Sequence, residues 1–302
     1  MSRPSQPPTI GVVGLGLLGS AIAARLRAAG HPVVGHDVVP ACIERLVALG
    51  GTAAKSAADV ARGSDAVVVV LPSLASVESV ILGAEGVMAG ARRGQTVLQM
   101  STISPELTRR VDRELQARGL TLLDCPVSGT SGMVARGHGA FYVGGERAIY
   151  ERWRPTLECV LPRAFYIGAA GQAMLLKLVA NLLVALNSAS VAEALTMATQ
   201  GGLDAELVVD VLSSGAAASQ MLQVRGPMMA GGQFPAQMKL DLFMKDLHLI
   251  QDAAQACGAA LPLTDVAERL FAATQAAGHG AEDLAVVITE MQRRTREDTH
   301  DG

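Results

Sequence analysis

Basic residues are not in excess in this 302-residue chain: 25 Lys and Arg stand against 28 Asp and Glu, a formal charge of −3. Without a cationic field, and with its Lys and Arg scattered, the chain is not built to hold nucleic acid or an anionic membrane surface. Cysteine is scarce as well. Cys42, Cys125, Cys159 and Cys257 are widely spaced, with no CxxC pair and no His at ligand spacing, which excludes a disulfide framework and a metal site. It predicts reduced, mostly buried thiols in a cytoplasmic protein. The opening MSRPSQPPTI has no apolar core of the kind a signal peptide needs, and residues 1–8 read as a disordered tail. No repeat of fixed period is present. The greasiest stretch, Gly171 to Leu195, is interrupted by Lys177, Asn181, Asn187, Ser188, Ser190 and Glu193. That pattern excludes hydrocarbon as its surroundings and predicts a helix inside a protein.

What the chain has is apolar residues, 50% of the total, in short runs that alternate with helical stretches up to about residue 167. TIGVVGLG, PVVGHD, DAVVVVLP, TVLQMS and LTLLDCPV read as strands, some continuous enough to be covered on both faces, as in a parallel sheet. GAFYVGG and RAFYIG add two more around a helix containing Trp153. From Gly171 onward long helical patterns take over, broken at GGLD, RGPMMAGGQFP, CGAALP and AAGHGAED. The expectation is an α/β fold, a Rossmann-type doubly wound and mostly parallel sheet over 9–167, followed by an all-helical domain over 168–302.

GVVGLGLLGS places Gly14, Gly16 and Gly19 in the GxGxxG spacing, after a strand and at the head of a helix. There the backbone N–H groups of Gly16, Leu17, Leu18 and Gly19 suit a dinucleotide pyrophosphate. Asp37 ends the second strand 23 residues after Gly14, where a carboxylate accepts from ribose hydroxyls and repels a 2′-phosphate. Val38 and Val39 supply no Arg to neutralise such a phosphate, so NAD is expected over NADP. The alternative for Asp37 is a strand-end residue that starts a turn.

Lys177 and Asn181 are four residues apart, so on a helix they stand on one face. Desolvation disfavours the charged form of a lysine held in an apolar helix, which suits it to act as an acid or base; its alternative is to snorkel to solvent. Asn181 suits the substrate hydroxyl, the amine, or a neighbouring helix. In PVSGTSG, the hydroxyls and backbone N–H groups of Ser128, Gly129 and Thr130 suit a small carboxylate; the alternative is an ordinary turn.

Five segments in order, from Gly11 to about Val287, resemble the β-hydroxyacid dehydrogenases, the family of 3-hydroxyisobutyrate dehydrogenase and tartronate semialdehyde reductase. They are GVVGLGLLGSAIAARLRAAGHPVVGHDVVP, the pair VVLP and MSTISP, DCPVSGTSGMVARGHGAFYVGG, GQAMLLKLVANL, and FPAQMKLDLFMKDL. The resemblance implies contacts from Leu71, Pro72, Ser101 and Thr102 to the nicotinamide half of the cofactor, and Lys177 as catalyst with Asn181 as its partner. It further implies that Lys245 and Asp246 close over cofactor and substrate, and that the subunits form a homodimer or homotetramer. The implied activity is hydride transfer between NAD and a small, 3-hydroxyisobutyrate-like β-hydroxy acid. An imine reductase, which has a similar plan but generally lacks the lysine, and a catalytically silent dinucleotide-binding scaffold are the competing readings. Thr130, Ala173 and Ala180 depart from the family pattern and bear on substrate choice.

Overall fold

The computed structural model describes residues 7–298; most of the expected N-terminal tail lies outside them. In chain order the first part runs β1 (Ile10–Val13), α1 (Leu17–Ala28), β2 (Val33–His36), α2 (Pro40–Ala48), β3 (Thr52–Ala53), α3 (Ala57–Arg62), β4 (Ala66–Val69), α4 (Leu74–Leu82) and α5 (Val87–Gly90). It continues with β5 (Thr96–Gln99), α6 (Pro105–Ala117), β6 (Thr121–Asp124), β7 (Val127–Ser128), α7 (Ser131–Ala135), β8 (Ala140–Gly145), α8 (Arg147–Val160) and β9 (Ala164–Gly168). The remainder is helical: α9 (Gln172–Gln200), α10 (Ala205–Ser213), α11 (Gln220–Gly231), α12 (Leu240–Cys257), α13 (Pro262–Thr274) and α14 (Val287–Asp298). The chain divides into two compact units, Met1–Lys177 and Leu178–Gly302, so the division falls inside α9.

The sheet order is β3-β2-β1-β4-β5-β6-β8-β7, with β9 paired to β8. Strands β1 to β6 pair in parallel, and the first antiparallel pair is β6 with β8. The order reverses at β1 and β4, which leaves the carboxyl end of β1 at the switch point where such sheets bind ligands. Successive residues of a strand point to opposite faces. Ile10, Val12, Ala66, Val68 and Leu98 accordingly join one apolar cluster with Trp153 and Phe141, while Val13, Val67, Val69 and Val97 join a second with Val111 and Met174. Because both faces are covered, the strands read as unbroken apolar runs. Trp153 finds its polar partner in the sheet, donating from Nε1 to Thr96 Oγ1 at 2.9 Å.

Two local expectations change. The run LTLLDCPV is not one strand: it stops at Asp124, and Val127–Ser128 returns as β7, antiparallel to β8. The segment RGPMMAGGQFP does not break the chain at its Gly-Pro pair, because α11 continues through Gly226 and Pro227 and ends at Gly232, whose φ is +64°. Gly226 sits against Val209 with little room to spare, so packing on α10 offsets the hydrogen bond that proline removes. All four cysteines are free; Cys42 and Cys125 are buried and Cys257 is exposed, so the thiols are less uniformly buried than expected.

Candidate active site

The turn from β1 into α1 is built by backbone. Gly14 has φ +91° and donates to His36 O at 3.0 Å, tying the turn to β2. A Cβ on Gly19 would collide with the carbonyl of Gly14, so helix and turn approach as closely as they do only with glycine there. Gly16 differs: its φ is −62°, and a Cβ would meet nothing within 4 Å. It is the N-cap of α1, and no side chain caps that helix. The structure thus presents the N-terminus of a 12-residue helix behind an open-faced glycine, an arrangement that fits a pyrophosphate. Leu17 is exposed beside it, whereas Leu18 turns inward against the core.

Asp37 starts a turn, the alternative weighed for it, and also ties that turn to the glycine loop. Its Oδ1 accepts from Val39 N at 2.8 Å, a turn-starting bond, and its Oδ2 accepts from Leu15 N at 2.6 Å, which binds the end of β2 to the glycine turn. Half-buried, it also lines a cavity of about 290 Å³ with Gly14, Val38, Lys55, Leu71 and Glu85. The carboxylate therefore lines this cavity already oriented by two N–H groups.

Ser101 is placed by the structure as a clasp. Its Oγ accepts from Leu71 N at 2.8 Å, and the side chain of Gln99 brackets its backbone, accepting from Ser101 N and donating to Ser101 O at 2.9 Å. The ends of β4 and β5 are joined in this way, with Pro72 exposed and Thr102 half-buried beside them. Gln99, wholly buried, went unnoticed in the sequence. A polar residue inside an apolar strand was its signal. Thr130 is the N-cap of α7, accepting from Met133 N at 3.3 Å, so an acceptor lone pair of its hydroxyl is engaged locally; Ser128 and Gly129 stand half-buried just before it.

Lys177 and Asn181 lie on α9, 9% and 3% exposed. By length and composition alone α9 would suffice to cross a membrane, yet its polar residues Lys177, Asn181 and Ser188 are among those buried. Asn181 Nδ2 donates to Asp246 Oδ2 at 2.7 Å, and Lys245 Nζ forms an ion pair with Asp246 Oδ1 at 2.9 Å. Asp246 is 4% exposed; it grips Asn181, so the amide of Asn181 is held with its nitrogen toward Asp246.

The segment that leads into α12, and so to Lys245 and Asp246, hangs on a buried ion pair that the sequence did not reveal. Asp283 accepts from Arg225 Nε at 2.9 Å, from the backbone N–H groups of Gln237 and Met238, and from Ala285 N. Among the described residues no three His, Cys, Asp or Glu gather to hold a metal ion.

Comparison with known proteins agrees with this geometry. Residues 9–168 match the NAD binding domain of 6-phosphogluconate dehydrogenase, and residues 169–291 match the NAD-binding family of NADP-dependent 3-hydroxyisobutyrate dehydrogenase. The chain is 32% identical to 2-hydroxy-3-oxopropionate reductase of Escherichia coli, over 94% of its own length and 97% of the relative's. It is 32% identical to the NAD-dependent L-serine dehydrogenase of Pseudomonas aeruginosa, over 92% and 96%. Among solved structures, the 3-hydroxyisobutyrate dehydrogenase of Mycobacterium tuberculosis, determined with L-serine, superposes with a TM-score of 0.86 at 31% identity, covering 95% of this chain and 99% of that one. An imine reductase of Bacillus cereus shares the fold at 21% identity and a TM-score of 0.62, with 94% and 99% of the two chains covered.

Proposed function

Because this chain belongs to the β-hydroxyacid dehydrogenase family and is an oxidoreductase of hydroxy acids, we propose that it moves hydride between NAD and a small, 3-hydroxyisobutyrate-like β-hydroxy acid, with Lys177 as acid and base. The observation that carries the reading is the near-complete burial of the Lys177 side chain on the helix face it shares with Asn181. A snorkelling lysine would place its amine in water.

The nicotinamide ring supplies the hydride acceptor when the cofactor is bound; the rest is the protein's own work. The N-terminus of α1, with Gly14, Gly16, Leu17, Leu18 and Gly19, holds the pyrophosphate. Asp37 accepts from the ribose and disfavours a 2′-phosphate, which supports NAD over NADP. Leu71, Pro72, Ser101 and Thr102 shape the strand ends around the nicotinamide half. Ser128, Gly129 and Thr130 receive the substrate carboxylate, Lys177 takes the hydroxyl proton on oxidation and returns it on reduction, and Asn181 orients the reacting group. Asp246 keeps Asn181 in register, and Lys245, its ion-pair partner, closes over the cofactor. The retained lysine supports a dehydrogenase over an imine reductase or a silent scaffold.

Residues Leu175, Val179 and Leu183, spaced four apart and exposed on α9, support a homodimer or homotetramer, and the four free thiols support a cytoplasmic setting. The test is NADH absorbance with purified protein, NAD or NADP, and a panel of β-hydroxy acids. Turnover with NAD that Lys177→Ala abolishes is expected; cofactor binding without turnover on any acid would overturn the enzyme, and equal efficiency with NADP would overturn the cofactor preference.

A further inference from the structure

The start of α9 is capped in an unusual manner. Its N-cap is Gly171, whose carbonyl accepts the first helical bond from Leu175 N, and whose φ of +89° is a conformation side chains rarely adopt. A Cβ there would also press on Pro105 O and the Arg109 side chain. Gly171 therefore has no side chain with which to cap its own helix. Asp124, 47 residues upstream at the end of β6, does so instead: its Oδ2 accepts from Gly171 N at 3.2 Å and from Met174 N at 3.0 Å. In an ordinary capping box two side chains satisfy the N-cap and N3 donors between them. Here one remote oxygen satisfies both.

The arrangement is costly. Asp124 is fully buried, its Oδ1 finds no partner, and Gly144 abuts that oxygen so closely that a Cβ would collide with it. The carboxyl is raised to about 6: burial pushes it up, the N–H bonds from Met174 and Gly171 hold it back in part, and the charge of Asp112 on α6 adds a smaller upward push. A Ser or Asn at a helix start meets the same donors without burying a charge. What the carboxylate gains is position. Four residues after Asp124 the chain reaches Ser128, and three residues after Met174 it reaches Lys177, a rise of about 4.5 Å along the helix.

We propose that Asp124 is a positioning residue: it joins the strand that leads into the carboxylate loop to the first turn of the lysine helix, and so fixes the Lys177 amine relative to Ser128, Gly129 and Thr130. This rests on the reading of Lys177 as acid and base. Hydride and proton transfer tolerate displacements well under an ångström, and a helix start pinned at two N–H groups has little freedom to slide or tilt.

Asp124→Ala tests it. The folded variant is expected to bind NAD with a KM within about twofold of the parent, while kcat falls about tenfold or more. Hydride transfer should become more rate-limiting, so the primary deuterium isotope effect on kcat should rise, and the limb of the kcat–pH profile that reports the amine should move. Asp124→Asn, which keeps an acceptor, should bring kcat back to within about threefold. Asp124→Ser, with a shorter acceptor, carries the same expectation as alanine should Asp124→Ala not fold. A folded Asp124→Ala or Asp124→Ser with the parent's kcat and isotope effect, while Lys177→Ala is inactive, would overturn this proposal alone. Full turnover by Lys177→Ala would overturn the reading of Lys177 beneath it.

Discussion

Helices α1 and α9 both begin behind a glycine, and they are finished in opposite ways. At α1 the N-cap Gly16 faces open space and no side chain caps the helix. At α9 the N-cap Gly171 is enclosed, and a buried carboxylate of the protein itself occupies the same pair of donors. The positive end of a helix attracts an anion in both cases. The first is left for a ligand, and the second has been filled so that the helix cannot move. One backbone device therefore yields a binding site or a mechanical anchor, according to whether the fold delivers a side chain to it.

The comparison can be broken at either end. The largest effect belongs to the residue that the anchored helix carries: Lys177→Ala should lower kcat by roughly 10²- to 10⁴-fold, as loss of a general acid and base does, with cofactor binding intact by fluorescence titration. Next comes the proton on the anchor. The Asp124 carboxyl lies near 6 when folded and near 3.8 when unfolded. Below about pH 4 both states are protonated. Between about 4 and 6 the unfolded chain has released its proton while the folded chain still holds it, so stability declines through this window and is level above it. The decline attributable to Asp124 is on the order of 3 kcal/mol, with Asp112 and Cys125 as the titratable neighbours to which it is coupled. Urea midpoints measured from pH 4 to 7 should show that decline in the parent and lose it in Asp124→Asn; equal slopes would contradict it.

A smaller change would turn the first helix into a copy of the second. Gly16→Asp meets no steric barrier, since its φ is one any residue adopts and its Cβ side is open. The new carboxylate should cap α1 and compete with pyrophosphate, weakening NAD about thirtyfold, roughly 2 kcal/mol, with no loss of thermal stability. Unchanged NAD affinity would show that the pyrophosphate lies elsewhere. The smallest effect is expected at Asp37. Asp37→Asn removes the charge and keeps an acceptor for only one of the Leu15 and Val39 N–H groups, and the ratio of NAD to NADP efficiency should fall about tenfold.

Much was legible without coordinates because it depends on neighbours in sequence. Glycine spacing after an apolar run, an acidic residue at the next strand end, and the four-residue interval of Lys177 and Asn181 are consequences of backbone geometry and the 3.6-residue turn, and each is where its spacing predicts. The alternation of strand and helix likewise fixed the parallel sheet. What escaped were pairings made across the chain: Asp124 with Gly171 and Met174, Asn181 with Asp246, Arg225 with Asp283, and Gln99 bracketing Ser101. The length of LTLLDCPV and the passage of α11 through Pro227 were settled in the same way, by a partner strand and a neighbouring helix. Local sequence determines which face a side chain takes and whether a helix can start. A buried polar group, however, is stable only if some other part of the chain supplies its hydrogen bonds, and which part does so is decided when the chain has folded.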